Sequence, residues 1–139
     1  LCPFEGTVVS LGRGTDRPFE CYGHPDLKER GYTFTPRPTA GAKHPPLEGR
    51  LCRGVDLREM PLDEARQVGF TLRYVIDAYR DLETLGDGFF TPMFEKLVGA
   101  GWVREMIRAG ATDAEIRARW LPEAERFRTL RAKYLLYEE

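Results

Sequence analysis

The chain has 139 residues, 42% of them hydrophobic and 31% charged, a globular composition that suits one domain with a modest core. Its 21 basic and 22 acidic side chains leave a net charge of −1, so no overall field gathers nucleic acid or an anionic membrane, and any bound anion must be held locally. No apolar run approaches the roughly 20 residues that span a bilayer.

Residues 4–19, FEGTVVSLGRGTDRPF, crowd glycines, arginines, hydroxyls and a carboxylate together without helical period. Thr7, Val8, Val9 and Ser10 suit a short strand, after which Gly12 and Gly14 permit positive φ and a close approach of backbone to a ligand. Arg13 and Arg17 share the loop that follows. A guanidinium matches a carboxylate in two parallel hydrogen bonds, so this pair beside Glu5, Ser10 and Thr15 suits an acidic, hydroxyl-rich small molecule such as a sugar acid. The plainer reading of the same residues is a tight turn with solvated cations. It is not a nucleotide loop: no third glycine opens a helix and no Gly-Lys-Ser/Thr follows.

Residues 20–31 read as a connector punctuated by Gly23, Pro25 and Gly31. Tyr32, Thr33, Phe34 and Thr35 alternate aromatic and β-branched side chains, a strand pattern that stops at Pro36. The proline-rich stretch 36–49 reads as a long surface loop. Either it forms a wall of the same cleft, with Arg37, Lys43 and His44 adding positive charge, or it covers a sheet edge. Residues 51–57 make a further strand, with Leu51, Val55 and Leu57 on one face, interrupted by Arg53, and Cys52, Gly54 and Asp56 on the other.

After Pro61 the period lengthens to about 3.6. Ala65, Val68, Leu72, Val75, Ile76, Tyr79 and Leu82 fall on one stripe, predicting a helix of about five turns that tolerates Gly69 and ends at Gly86 to Gly88. Phe89, Phe90, Met93, Phe94 and Leu97 read as core. A short helix over 102–109 stops at Gly110, and Thr112 to Glu115 is a capping box that opens another, with Ile116 and Trp120 inward. Pro122 suits the first turn of a separate last helix, whose apolar side is Phe127, Leu130, Tyr134 and Leu135. The fold class is therefore α+β: a small mixed or antiparallel sheet from the N-terminal half, covered by four to five helices from the C-terminal half.

Cys2, Cys21 and Cys52 are an odd number without a CxxC, which argues against a full disulfide framework, although Cys2 and Cys21 could pair. Cys52 reads as a buried small hydrophobe and His24 and His44 as surface histidines. With only these two histidines no metal site is expected, and no cofactor.

The run Phe4-Glu5-Gly6-Thr7, Ser10, Gly12-Arg13-Gly14-Thr15 and Arg17-Pro18-Phe19, continued by Gly23 and Pro25, Phe34-Thr35-Pro36, Leu51-Cys52-Arg53-Gly54-Val55 and Tyr134-Leu135-Leu136-Tyr137, resembles the C-terminal domain of the NamZ-type exo-β-N-acetylmuramidases. Many members have Asn and Glu where this chain has Val8 and Leu11, and no role is carried to those positions. The resemblance implies that residues 1–139 form the C-terminal, cleft-completing domain of a larger enzyme whose Rossmann-like N-terminal domain precedes Leu1. That enzyme would release terminal N-acetylmuramic acid from the non-reducing ends of peptidoglycan fragments, in a bacterial periplasm or outside the cell. Its catalytic acid is expected in the preceding domain, which is also this chain's partner, and the isolated domain is expected to be inactive. Arg13 and Arg17 become candidates for the lactyl carboxylate, Arg37 and Lys43 substrate-binding candidates from the wall of the cleft, and Glu5, Ser10 and Thr15 candidates for orienting hydroxyls. Glu5 paired with Glu20 as acid and base is a second possibility. The alternative class is a non-catalytic carbohydrate-binding or protein-interaction module.

Overall fold

The structure, a computed structural model, describes residues 1–137. A three-stranded antiparallel sheet comprises β1 (Cys21–His24), β2 (Tyr32–Phe34) and β3 (Cys52–Asp56), in the order β1-β3-β2. Five α-helices follow: α1 (Leu62–Val68), α2 (Arg73–Asp81), α3 (Met93–Val98), α4 (Trp102–Arg108) and α5 (Asp113–Arg131). The α+β expectation holds, and the sheet is purely antiparallel.

The N-terminal segment joins the two layers. Residues Cys2–Gly6 form a 3-10 turn, and Phe4, 1% exposed, stacks on Tyr22 of β1 at 4.7 Å between ring centres. Gly6 lies so close to α3 that a Cβ there would stand 2.3 Å from the Phe94 Cα. Phe89, Phe90 and Phe94 are buried: Phe89 meets both Tyr79 and Phe90 edge-on, Phe90 stacks on Tyr79 and tilts against Phe94, each fully buried ring contributing about 1.5–3 kcal/mol. Met93 and Leu97, expected in that core, are 46% and 38% exposed because they lie on the outer side of the short α3.

Several sequence expectations change. Thr7 to Ser10 do not form a strand: Thr7 bridges Phe90 and Ser10 bridges Gly23, while Thr7 Oγ1 donates to the Phe4 carbonyl and accepts the Val9 N–H. The connector 20–31 contains β1, whose Cys-Tyr-Gly-His run lacks β-branched residues but pairs fully with β3. On β3, Leu51 is 60% exposed and Cys52 is fully buried in a second small cluster with Cys21 and Phe34; Val55 and Leu57 pack on the main core.

The long helix after Pro61 is two. Gly69 adopts φ 57°, ψ −137°, a region essentially reserved for glycine, and the chain restarts at Leu72. The break is held from α5: Asp113 accepts the Leu72 N–H at 2.7 Å and the Thr71 hydroxyl at 3.0 Å, and Arg117 donates to the Phe70 carbonyl. In the other direction two predicted helices are one. The Thr112 capping box forms as expected, and α5 then continues through Pro122. The carbonyl that proline deprives of a donor belongs to the exposed Ala118, where water can serve it. Phe127, Leu130, Tyr134 and Leu135 are 61%, 58%, 70% and 41% exposed, so the apolar side expected to pack is bare.

Cys2, Cys21 and Cys52 are all free thiols, Cys2 exposed and the other two buried, so the Cys2–Cys21 pairing is not made. His24 is a buried residue, 6% exposed, whose Nδ1 accepts the Asp26 N–H at 3.2 Å, whereas His44 is exposed as expected.

Candidate functional site

The loop that carries Arg13 is built by local chemistry. Gly12 and Gly14 sit at φ 72° and 82°, and Thr15 Oγ1 donates to the Gly12 carbonyl at 2.6 Å while accepting the Arg17 N–H at 3.0 Å. The proline-rich loop closes over it: the Arg37 N–H donates to the Gly14 carbonyl at 2.8 Å, and a Cβ on Gly14 would stand 2.6 Å from both the Arg37 carbonyl oxygen and Pro45. These contacts leave Arg13 on a turn with little freedom to relocate.

Arg13 Nη2 donates to Glu5 Oε1 at 2.7 Å, with the two side chains 42% and 34% exposed. Both line a hollow of about 160 Å³ with Phe4, Thr7, Val9, Leu11 and Pro46. One of five guanidinium donors is thus engaged, and the remaining edge is available for a carboxylate. The Arg13 guanidinium also lies 5.0 Å from the centre of the Phe19 ring, which is 37% exposed and sits at φ 66°. A positive φ on a bulky residue is costly and collects at binding sites. Neither Phe19 nor Pro46 was singled out from sequence, where only the Pro18-Phe19 step beside the arginines points to the ring.

The other candidates lie elsewhere. Arg17, 24% exposed, turns to the sheet, with Nε 3.3 Å from Asp16 and Nη1 3.7 Å from Asp56. Of the two arginines expected at one site, the hollow brings in Arg13 alone: Arg17 does not line it and lies toward Asp56 of β3. Ser10 is fully buried and its Oγ accepts the Gly12 N–H, and Thr15 spends its hydroxyl inside the loop, so neither faces the hollow. Arg37 and Lys43 are exposed on the proline-rich loop, which reaches the hollow only through Pro46. Glu20 is exposed and does not line the hollow with Glu5.

A larger concavity lies elsewhere, a groove of about 600 Å³ among Phe70, Trp102, Trp120 and Phe127. It is mainly apolar, with Glu123 its one charged lining residue, so the smaller hollow, with an ion pair at its rim, is the better candidate for a polar ligand. Among the described residues no three His, Cys, Asp or Glu side chains come together to hold a metal, and no helix is long and apolar enough to cross a membrane.

Residues 1–137 match the family model described as the C-terminal part of the exo-β-N-acetylmuramidase NamZ. A relative from Bacillus subtilis (strain 168), a peptidoglycan β-N-acetylmuramidase NamZ, is 34% identical over 96% of this chain, which spans 35% of that protein's length. A crystal structure of a DUF1343-family protein from Bacteroides fragilis is 51% identical and superposes on 99% of this chain with a TM-score of 0.95, the match covering 39% of that chain. With a family model matched from the first residue to the last described one, the chain belongs to the NamZ C-terminal domain family.

Proposed function

We propose that this chain is the cleft-completing domain of an exo-β-N-acetylmuramidase, and that it reads the acidic sugar of a peptidoglycan fragment through Arg13. The observation that carries the reading is the Arg13–Glu5 pair at the rim of a hollow floored by apolar side chains. Muramic acid differs from glucosamine by a lactyl carboxylate, for which the free edge of a guanidinium is the matching group. Glu5 holds Arg13 in place until the ligand arrives, and the Phe19 ring offers an apolar face beside it.

The size of the hollow supports a shared cleft. Small-molecule sites usually enclose about 300–1,000 Å³, and about 160 Å³ is half of a sugar site at best. The chain spans about a third of the curated relative it matches, so the rest of the enclosure is assigned to the part of the protein that precedes it. Glycosidic cleavage commonly needs two carboxyl groups about 5–9.5 Å apart. Glu5 is committed to Arg13 and Glu20 lies off the hollow, so both catalytic groups are placed in that preceding part, and this domain alone is inactive.

The test is Arg13→Ala in the full-length protein, assayed on a muramic acid glycoside and on the corresponding N-acetylglucosaminide. Losing a hydrogen bond to a charged group costs about 1.5–3 kcal/mol, a fall of about 10- to 150-fold in kcat/KM for the muramic substrate. The glucosaminide rate changes far less. An unchanged muramic acid kcat/KM would remove Arg13 from the site and leave the loop a structural turn.

A further inference from the structure

The cations around the sheet are unevenly matched. Arg13, Arg17, Lys28, Arg30, Arg53 and Arg58 each pair with a carboxylate. The other cations of residues 1–60 are Arg37 and Lys43 on the proline-rich loop and Arg50 just after it. All three are exposed, and among the described residues they make no ion pair, side-chain hydrogen bond or ring contact. Glu48 is the one acidic residue of the same stretch, which is therefore positive in a chain whose net charge is −1.

A solvated cation on a loose loop is unremarkable, but this loop is tied down along its length. At its base the Gly49 N–H donates to the carbonyl of the buried Pro36 at 2.8 Å, and near its tip Thr39 and Ala42 exchange backbone hydrogen bonds at 3.0 and 3.2 Å. Pro45 is buried against the Arg13 turn, where a Cβ on Gly14 would stand 2.6 Å from its ring. With four prolines fixing φ as well, little conformational freedom is left to lose when an anion binds. The loop is also continuous with the candidate site: the Arg37 N–H donates to the carbonyl of Gly14, the residue after Arg13, and Pro46 lines the hollow.

We propose that Arg37 and Lys43 form a second anion subsite, which takes the lactyl carboxylate of the next muramic acid along the same glycan strand. The inference rests on the reading above that Arg13 receives the terminal muramic acid. In a peptidoglycan strand every second sugar is a muramic acid, so a strand with its first carboxylate at Arg13 carries another two sugars further on. The loop that adjoins the hollow meets that second carboxylate with side chains that have no internal partner to give up. Once the terminal sugar is bound the second contact is intramolecular, so even exposed charges add to the affinity of a longer fragment. The substrate class this selects is an acidic glycan of at least two repeats.

The test compares kcat/KM of the full-length protein on a muramic acid–glucosamine disaccharide and on the tetrasaccharide of two such repeats. The tetrasaccharide is expected to be favoured about 2- to 10-fold, as two exposed charge contacts allow, and the preference fades as salt rises. In the double variant Arg37→Gln, Lys43→Gln the ratio falls to about one; both side chains are exposed and the loop is held by its backbone, so the fold is kept. The ratio falls equally for wild type when the second lactyl carboxyl of the tetrasaccharide is a neutral methyl amide. A wild-type ratio near one, with the disaccharide hydrolysed, overturns the subsite and leaves the Arg13 reading standing. A preference that survives either the double variant or the amide also overturns it, since length is then read elsewhere or without the carboxylate. Hydrolysis of neither glycan overturns the muramidase reading and the subsite with it.

Discussion

Asp81→Asn tests whether one buried carboxylate ties the β1–β2 connection to the helical layer. Asp81 ends α2, its side chain is 5% exposed, and it accepts from Arg30 Nη2 at 2.5 Å, with Lys28 Nζ at 3.3 Å and the Lys28 N–H at 3.4 Å. Breaking one half of a fully buried ion pair costs about 3–5 kcal/mol, but Arg30 and Lys28 are 31% and 74% exposed and regain water, so about 2 kcal/mol applies. For a chain of this length that is a fall in Tm of about 8 °C. Burial alone would raise the Asp81 carboxyl, but the hydrogen bonds and charges of Arg30 and Lys28 outweigh it and hold it below the usual carboxylate value. Since the folded-state pKa is the lower one, the stabilisation is complete above the unfolded value of about 3.9 and fades as pH falls through the folded value. Urea unfolding at pH 7 and in steps below pH 4 therefore shows the gap between wild type and Asp81→Asn closing with acid. If the loss at pH 7 is the same size in an Arg30→Met background, the ion pair is not its source and the reasoning fails.

Two further outcomes follow from the sheet. A Cβ on Gly54 would stand 1.8 Å from the Tyr22 carbonyl oxygen and 2.7 Å from the Gly23 Cα, backbone that cannot swing aside, so Gly54→Ala separates β1 from β3 and destabilises the domain severely. A thermal melt by circular dichroism within about 2 °C of wild type would contradict that pairing. Burial pushes the Cys52 thiol up to about 11 and raises Cys21 as well, while Cys2 is exposed. An aromatic disulfide reagent at pH 8 then titrates one thiol per native chain and three after unfolding; a second fast thiol in the native state would show that the small cluster behind the sheet is open.

What could be read from the sequence is what local chemistry decides. The aromatic and β-branched alternation at Tyr32 to Thr35 became β2, and the Thr112–Glu115 capping box opens α5 with both its hydrogen bonds. β1 escaped notice because a Gly-containing run without β-branched residues becomes a strand only when β3 is there to pair with it. The break at Gly69 was equally hidden: the groups that hold it, Asp113 and Arg117, lie 41 to 49 residues further along. At the candidate site, glycines, Arg13 and Glu5 in one short run marked the loop, but that Glu5 pairs with Arg13 shows only in the structure. Arg17 looked equivalent because its partner Asp56 is distant in sequence and reaches it only through the fold.

That difference between the two arginines defines what each contributes. The Thr15 hydroxyl pins both ends of the turn, so Arg13 and Arg17 leave it toward different partners. Arg17 meets a carboxylate already gripped by Arg58 through Nε at 3.0 Å and Nη2 at 2.6 Å, and its own Nη1 is buried without a hydrogen bond. A cation in that position is spent on joining the loop to β3, and no carboxylic ligand can compete for it without first displacing Asp56. Arg13 has one partner, half in water, and the ligand's carboxylate would exchange with Glu5 or share the guanidinium with it at little cost in desolvation. On the proposed reading, the site depends on Arg17 for its shape and on Arg13 for its chemistry.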